Sequence, residues 1–389
     1  ANMAFIEVEN ANTLGVNHFS HLSLKEFQTQ YTGGKGGSAL SSNDAQLGEL
    51  EVQSEIASSI ERNTKAAFLL PVVAVADVPL TMSWADFKDH FGMTFNGEED
   101  TTREQVFTAN MAFIEAENAK DNTYTLGVNH FSHLSLEEFQ TQYTGGKGGS
   151  ALSSDDAHLG ELEVQSEIAS SVDWSTDRSV VNPVKDQGQC GSCWAFSAVG
   201  TVESAYAVAA GKLGSYAEQQ LVDCDSTGGS QGCSGGFNQY GIQYIGTTGI
   251  AAESAYPYKA TDGTCRASSV SKTLAAGSVA GYNSVGKNNA ALQSALNSVP
   301  VSITVNADNT WQSYRSGVLS QACGLFGQID HAVIAVGYDS SASTFKIRNS
   351  WGASWGEAGY VRVNNAVSNP YCIYNTAPFT AKISADVTV

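Results

Sequence analysis

The chain has 389 residues, 42% of them hydrophobic, which is enough for two or three domains with buried cores. Its formal net charge is −19, but residues 168–389 carry 12 basic and 14 acidic side chains, so nearly all of the acidity lies before residue 168. An acidic chain repels phosphate backbones, and we therefore expect no nucleic-acid partner. All seven cysteines lie between positions 190 and 372. An odd number favours three disulfides and one free thiol in an oxidising compartment, with a cytosolic protein of reduced thiols as the alternative.

The first 60 residues are nearly a copy of residues 109–172. Three stretches carry the match: residues 1–6 recur as 109–114, 15–19 as 127–131, and the Gly-rich tract 31–37 as 143–149. Structural repeats usually keep core positions and change in their linkers, whereas this repeat keeps its linker too. We therefore interpret residues 1–61 as a partial duplicate that arose from a fusion or a gene-model artefact. We expect the Gly-rich tract to be a flexible linker, because no Gly-Lys-Ser/Thr phosphate motif accompanies it.

Residues 62–76 have the composition of a secretion signal. Arg62 and Lys65 precede an apolar run that ends in the small-residue pattern Ala74-Val75-Ala76. The run is too short to span a bilayer, so we expect no stable membrane insertion. A buried strand is the alternative interpretation. An internal secretion signal makes sense if the functional protein begins near residue 62.

Residues 77–167 are predicted to be helical at first and then a linker. Four aromatic residues recur at helical spacing: Trp84, Phe87, Phe91 and Phe95. A second series follows at steps of three and four residues: Glu99, Arg103, Phe107, Asn110, Ile114 and Asn118. Such steps place side chains on one stripe of a helix, so the second series predicts a longer amphipathic helix.

Two cysteines stand three positions apart at the predicted start of the next helix. The sequence from Cys190 to Trp194 is Cys-Gly-Ser-Cys-Trp, and the helix is expected from Trp194 onward. A cysteine at a helix N-terminus lies at the positive end of the helix dipole, which favours thiolate over thiol. Gln187, six residues before Cys193, carries an amide that could help to bind an oxyanion. A zinc pair and a redox Cys-x-x-Cys motif are weak alternatives, since no second ligand pair and no early βαβ pattern is present, and we expect no metal.

The later part of the chain is rich in short apolar runs, of which residues 299–305 and 332–338 are predicted strands. Helices followed by strands indicate an α+β protein in which a helical domain faces a β domain across a cleft. His331 is the single imidazole after residue 168, which makes it the available general base. Asn349 can orient that ring, and the nearby Trp351 can shield their hydrogen bond from water.

The motif around Cys193, with His331 138 residues on and Asn349 156 residues on, resembles that of the papain family of cysteine proteases. The stripe from Glu99 to Asn118 is similar to the E-R-F-N-I-N pattern of cathepsin L-like propeptides. A second propeptide motif, Gly-x-Asn-x-Phe-x-Asp, is matched from position 127 except that His133 stands in place of its Asp. The resemblance implies a papain-like two-domain fold, with a helical left domain and a β-barrel-like right domain. It also implies an inhibitory propeptide at 77–167 and a peptidase domain at 168–389.

By the same resemblance, Cys193 is the nucleophile, His331 the base and Asn349 its orienting partner. Gln187 and the Cys193 backbone N–H would form the oxyanion hole. The implied disulfides are Cys190–Cys233, Cys224–Cys265 and Cys323–Cys372. The implied substrate-binding positions are Gly235, Gly236, Phe237, Asn238, Thr304, Ile329, Asp330, Ala332, Trp351 and Ala377. Ala377, which is neutral, lies at the floor of the implied pocket for P2, the second residue on the N-terminal side of the scissile bond. It predicts Leu, Val or Phe at P2. Asn238 stands in a wall that is commonly apolar, and it weakens that preference.

We therefore expect an autoinhibited cysteine endopeptidase that acts on proteins and peptides and needs no cofactor. We expect it to be a monomer that is secreted or sent to a lysosome or vacuole. Three alternatives stay open: a non-catalytic relative that binds rather than cleaves, an inhibitor role for the doubled propeptide, and a transglutaminase-like Cys-His enzyme. An intact Cys193 argues against the first, and the propeptide-like helix argues against the third.

Overall fold

The computed structural model describes residues 78–147, 157–324, 327–385 and 387. The predicted partial duplicate at 1–61 and the signal-like segment at 62–76 lie outside these residues, so the domain boundaries assigned to them remain predictions. The described residues all belong to one unit that extends from Val73 to Val389.

The helices of the described residues are numbered α1 to α8 in chain order. They are α1 (Trp84–Phe91), α2 (Glu98–Asn118), α3 (Leu136–Tyr143), α4 (Cys193–Ala210), α5 (Glu218–Cys224), α6 (Asn238–Thr248), α7 (Asn289–Leu296) and α8 (Asn309–Gln312). The strands are β1 (Tyr124–Leu126), β2 (His158–Glu161), β3 (Ser171–Asp173), β4 (Val279–Ser284), β5 (Val301–Val305), β6 (Tyr314–Leu319), β7 (His331–Asp339), β8 (Thr344–Arg348), β9 (Tyr360–Asn364) and β10 (Phe379–Ile383). Helices dominate the first half of this order and strands the second, as the sequence predicts.

Helix α1 is shorter than its aromatic spacing predicts. It begins after the Ser83 N-cap, whose hydroxyl accepts from the Asp86 N–H, and ends at Gly92 with a left-handed φ of 62°. Phe95 therefore lies in the following loop and not on the helix, which corrects the prediction. Its ring nevertheless stacks on Trp84 at 5.5 Å, so the apolar cluster forms with one member supplied by a loop.

The stripe of α2 holds the propeptide together through polar contacts as well as apolar ones. Arg103 forms two hydrogen bonds of 2.8 and 2.7 Å to the Glu138 carboxylate on α3. Asn110 donates to two backbone carbonyls of the loop before α3, and Asn118 makes a pair of hydrogen bonds with the Leu126 backbone. Glu99, in contrast, is exposed, and the carboxylate that meets Arg103 comes from α3 instead.

Helix α4 is the central helix of the peptidase domain. Nearly all of its side chains are buried, as expected for a helix that is apolar on every face. Gly200 lets it approach the sheet, since a Cβ there would lie 2.5 Å from Ile334 Cδ1 on β7. The helix starts at Cys193 itself, one residue earlier than predicted.

The strands form one sheet in the order β1-β6-β9-β8-β7-β5-β10-β4-β2, with β3 paired to β7. Strand β7 is central and is buried from His331 to Tyr338, with antiparallel β5 and β8 on its two sides. Strands β1 and β2, which precede residue 168, lie at the two ends of this order. The predicted propeptide thus covers both outer edges of the peptidase sheet.

Three disulfides join the described cysteines in the implied pairs, Cys190–Cys233, Cys224–Cys265 and Cys323–Cys372. The first ties the loop before α4 to the glycine-rich loop at 235–236. Cys193 is the free cysteine of the described residues, and it is buried.

Candidate active site

The Cys193 thiol lies at the first turn of α4, against the start of β7. The side chain is fully buried, and its Sγ accepts a hydrogen bond from the Ala332 backbone N–H at 3.4 Å. Helix α4 thereby directs its N-terminus, where backbone N–H groups lack helical partners, toward the strand that carries His331. The structure brings these two predicted residues together from positions 138 residues apart.

His331 is held by Asn349 and by the Trp351 ring. Its Nε2 lies 2.8 Å from Asn349 Oδ1, which can only accept, so the imidazole donates here and its neutral form keeps the Nδ1 lone pair free. Nδ1 is buried and has no hydrogen-bond partner within the described protein. Trp351 stacks on the imidazole at 4.4 Å between ring centroids, which covers the His331–Asn349 bond. This arrangement leaves one ring nitrogen available to accept a proton.

The Gln187 amide is fully buried beside the thiol and is fixed at both ends. Its Oε1 accepts from the Ser350 hydroxyl at 2.6 Å. Its Nε2 donates to the Cys190 carbonyl at 2.9 Å and to the Tyr143 carbonyl at 3.0 Å. The Ser350 contact was not foreseen from the sequence. It sets the direction of the amide, so that the N–H₂ group points into the cleft.

The backbone of residues 143–147 crosses the cleft directly over the candidate site. The Tyr143 carbonyl accepts from Gln187 and, at 3.0 Å, from the Trp351 indole N–H. The N–H groups of Gly145 and Gly146 both donate to the Asp330 carbonyl, at 2.8 and 2.7 Å. The chain then pairs with Gly236 in parallel orientation. These bonds close the cleft with backbone groups rather than side chains.

Gly145 and Gly146 are therefore packed between other residues, which corrects the prediction of a flexible linker for the described part of the Gly-rich tract; the rest of the tract lies outside the described residues. A Cβ at Gly145 would lie 2.1 Å from the Gly191 carbonyl oxygen, and one at Gly146 would lie 2.6 Å from the Ala332 nitrogen. Only residues without side chains fit between the two walls of the cleft at this point. One feature of the sequence could have indicated this: the Gly-Gly pair closely follows α3. Glycines at such a position are explained by close approach of two backbones as well as by flexibility.

Burial moves the pKa of both reactive groups away from the values that would favour a thiolate–imidazolium pair. It raises the pKa of the Cys193 thiol to about 12, an effect that the Ala332 N–H opposes and the Asp330 carboxylate increases. Burial also lowers the pKa of His331 to about 4, although its hydrogen bond to Asn349 opposes the shift. In this covered state desolvation therefore opposes the thiolate that the helix dipole favours.

Four of the implied substrate-binding positions, Gly235, Gly236, Asp330 and Ala332, contact the covering segment or the thiol. Gly235 and Gly236 form one wall, and a Cβ at Gly235 would lie 2.7 Å from the Gly145 carbonyl oxygen. Asn238 is buried and donates to the Ser302 hydroxyl at 2.6 Å. The remaining positions are distributed as follows: Phe237, Ile329, Asp330 and Ala377 are half-buried, while Thr304, Ala332 and Trp351 are buried. The Asp330 side chain bonds the Ala307 N–H and the Gln140 amide, so in this state it holds the propeptide.

Within the described ranges, no group of three or more His, Cys, Asp and Glu side chains is placed to hold a metal ion. No helix among the same residues is long and apolar enough to cross a membrane.

The chain belongs to the papain family of cysteine proteases. The family profile described as "Papain family cysteine protease" matches residues 168–381, and the "Cathepsin propeptide inhibitor domain (I29)" profile matches residues 84–139. The protein is thus a cysteine peptidase with a propeptide inhibitor domain, and its papain-like fold and its resemblance to the cathepsin L group are confirmed.

Two curated relatives match most of the chain. The senescence-specific cysteine protease SAG39 of Oryza sativa is 40% identical over 72% of this chain and 83% of its own length. Digestive cysteine proteinase 2 of Homarus americanus is 37% identical over 80% of this chain and 97% of its own.

Two solved zymogen structures match in three dimensions. The recombinant stem bromelain precursor has a TM-score of 0.67 and 34% identity, with 78% of this chain and 98% of that chain covered. Digestive procathepsin L 3 of the Tenebrio molitor larval midgut has a TM-score of 0.68 and 33% identity, with 77% and 98% covered.

Proposed function

We propose that the protein is a cysteine endopeptidase that works through Cys193, His331 and Asn349 and is made as a zymogen. The observation that carries the proposal is the Tyr143 carbonyl, which accepts hydrogen bonds from Gln187 and Trp351 next to the buried thiol. A carbonyl held by these donors occupies the place of a scissile carbonyl.

Removal of the propeptide returns water to the site and reverses the cause of both pKa shifts. The thiol proton then passes to the free His331 Nδ1, which gives a thiolate at the N-terminus of α4 and an imidazolium that donates to Asn349 Oδ1. The thiolate attacks the substrate carbonyl carbon, and the C=O electron pair moves to oxygen. Gln187 Nε2 and the Cys193 backbone N–H stabilise that oxyanion.

The tetrahedral intermediate collapses when the C–N bond breaks and the amine leaves with the proton from His331. The acyl group remains on Cys193 as a thioester. Neutral His331 then takes a proton from water, the hydroxide attacks the thioester, and the thiolate leaves with the imidazolium restored. No redox partner or metal is required by this sequence of steps.

Resistance of the bound propeptide to cleavage follows from its direction. Residue 146 pairs with Gly236 in parallel, after the chain has already passed Gln187 at Tyr143. A substrate with its carbonyl at Gln187 and its preceding residues along Gly236 would run the opposite way. The propeptide is therefore an inhibitor with a reversed backbone, and its two glycines leave the side-chain pockets unfilled.

The pocket next to Gly236 suits an apolar P2 residue. The Asn238 amide and the Thr304 hydroxyl are engaged by Ser302 and Thr376, so neither needs a polar partner from the substrate. Ala377, half-buried, packs against the apolar cluster of the helical half and presents no charge. We propose Leu, Val or Phe at P2, and endopeptidase rather than exopeptidase action because no His-His occluding-loop pattern is present.

We further propose that the protein travels through the secretory pathway to the exterior, a lysosome or a vacuole, and that it acts as a monomer without nucleic acid. The three disulfides support an oxidising compartment.

Acid activation of residues 77–389 under mild reductant, with Cys193→Ala as the control, tests the proposal. We expect a mass decrease to roughly the 168–389 fragment, hydrolysis of benzyloxycarbonyl-Phe-Arg substrates, and labelling of Cys193 by the epoxide inhibitor E-64. Processing without activity or label would instead identify a binding protein. Equal rates on Arg-Arg and Phe-Arg substrates would contradict the apolar P2 pocket.

A further inference from the structure

The propeptide leaves the cleft and then pairs with a second surface of the peptidase domain. Strand β2 lies parallel to β4, with His158 opposite Tyr282 and Glu161 opposite Ser284. Because β2 is the last strand of the sheet order, β4 becomes an edge strand when the propeptide leaves. An edge strand presents unpaired backbone N–H and C=O groups that can bind another extended chain.

The contacts on this surface are mostly to the backbone of the bound segment. On β4, the Tyr282 N–H donates to the Ala157 carbonyl at 3.0 Å and the Ser284 carbonyl accepts from Leu162 at 2.8 Å. The Asn283 amide donates to the Gly160 carbonyl at 3.3 Å. Backbone contacts of this kind accept many sequences.

Helix α7 and the two residues that follow it extend the surface beyond β4. The Ser294 hydroxyl accepts from the Gln165 N–H at 2.8 Å, and the Asn297 amide donates to the Gln165 side-chain carbonyl at 3.4 Å. Ser298 accepts from the Gln165 side chain at 3.0 Å. We call residues 281–284 together with 294–298 the β4–α7 surface.

Gly281 shows how closely an extended chain can approach. A Cβ at this position would lie 2.1 Å from the Ala157 carbonyl oxygen. The glycine thus leaves a backbone-wide channel along the edge of β4, and a side chain would close it.

The β4–α7 surface lies within reach of a chain that occupies the cleft. Lys147 donates its N–H to the Gly236 carbonyl in the cleft, and the Ala157 carbonyl meets β4 ten residues later in the sequence. Ten extended residues span up to about 33 Å. A substrate that runs opposite to the propeptide and reaches β4 with its N-terminal residues would lie antiparallel to β4, an orientation that gives straight inter-strand hydrogen bonds.

We propose that in the mature enzyme the β4–α7 surface is an exosite for protein substrates. Its occupant is an extended, unfolded segment that begins about ten residues N-terminal to the part held along Gly236. The exosite binds long unfolded chains in preference to short peptides. It contacts the backbone of the substrate more than the side chains of the substrate. This inference rests on the proposed function of the cleft, but binding at the surface does not require catalysis.

The test compares two fluorogenic substrates with the same Phe-Arg cleavage sequence, one short and one with twenty further residues on its N-terminal side. The variant is Asn283→Ala with Ser298→Ala, two side chains outside the core. We expect the KM of the mature variant for the long substrate to rise about threefold to tenfold relative to its KM for the short one, as the loss of one or two hydrogen bonds predicts. Asn364→Ala, in β9, is the matched control and should leave that ratio unchanged.

A second measurement follows binding without catalysis. A labelled peptide of residues 157–167 is titrated into mature Cys193→Ser enzyme and read by fluorescence anisotropy, with a scrambled peptide as the control. We expect the peptide to bind, to bind more weakly to the Asn283→Ala, Ser298→Ala variant, and to slow hydrolysis of the long substrate alone.

Four outcomes would overturn the exosite. An unchanged KM ratio in the variant is the first, and absence of peptide binding is the second. Equal inhibition of both substrates would place the peptide in the cleft. Binding without any effect on the long substrate would show that the surface retains only the released linker. If neither substrate is hydrolysed, the proposed function fails, and anisotropy still decides whether the surface binds an extended chain.

Discussion

His133 provides a means for acid to release the propeptide. The ring is 8% exposed and lies between Phe87 and Phe95, at 5.9 and 5.5 Å between centroids. Burial, aided by the Arg103 guanidinium, lowers its pKa to about 4, against the opposing effects of a hydrogen bond with the His130 backbone and of the Glu138 carboxylate. The His130 imidazole of the same loop also interacts with the ring, and burial lowers its pKa to about 4 as well.

The sign of the effect follows from the two pKa values. Between pH 6.5 and 4 the released propeptide binds a proton at His133 and the docked one does not, so docking weakens as the pH falls through this window. With a His133 pKa of about 4 in the docked propeptide and about 6.5 in the released one, the free energy of docking at pH 5 is about 2 kcal/mol weaker than at neutral pH. This corresponds to a factor of about 30 in the fraction of propeptide released. Below pH 4 the docking free energy falls no further.

The His133→Phe variant keeps an aromatic ring in the same cage and removes the titration. We expect its activation at pH 5 to be about 30-fold slower than that of the wild type, with the midpoint shifted to more acid pH. The assay is the rate of appearance of the processed mass across pH 4 to 6.5, together with thermal melting of the inactive Cys193→Ala zymogen. His90→Phe, which changes an exposed imidazole on α1, is the control. An unchanged midpoint would refute the reasoning, and faster activation at every pH would indicate lost packing instead.

Three further predictions concern the covered cleft. Gly145→Val should drive the segment off the Gly191 carbonyl, so that E-64 labels the unprocessed chain at pH 7; a chain that stays unlabelled would contradict the backbone block. Gln187→Ala in the mature enzyme should lower kcat by about 10²–10³ with little change in KM, as loss of an oxyanion donor does; a change in KM alone would assign the amide to ground-state binding. Arg103→Gln should lower the free energy of propeptide unfolding by about 1 kcal/mol because the pair with Glu138 is partly buried, and the double change with Glu138→Gln should add little; additive losses in thermal melting would show that the two side chains act separately.

Several secondary-structure elements could be predicted from the local pattern of apolar residues. The two strands predicted at 299–305 and 332–338 are observed as β5 and β7 within two residues of those bounds. A continuous apolar run bounded by turn residues has few alternatives to a buried strand. Five of the six members of the α2 stripe are buried or make interactions across the propeptide, because their spacing alone places them on one helix face.

The sequence predictions for the propeptide were wrong where the contacts of a residue are made with residues distant in the sequence. Phe95 keeps the helical spacing of its neighbours, yet Gly92 ends α1 before it and the ring joins the cluster from a loop. Glu99 stands on the correct stripe, but Glu138 reaches Arg103 from another helix. A periodic pattern indicates which side chains lie on the same face of a helix. It does not indicate which other element packs against that face.

The sequence by itself determined which reactive groups are available: one free thiol at a helix start, one imidazole in the peptidase domain, and an amide ahead of them. Only the tertiary structure decided how far the pKa values of the thiol and the imidazole are shifted. The Gly145 backbone packs between Gly191 and Asp330, and in this buried site the pKa of Cys193 is raised and that of His331 is lowered. Desolvation depends on every atom that packs around a group, including atoms far away in the chain, and for that reason residue identity and spacing do not reveal it.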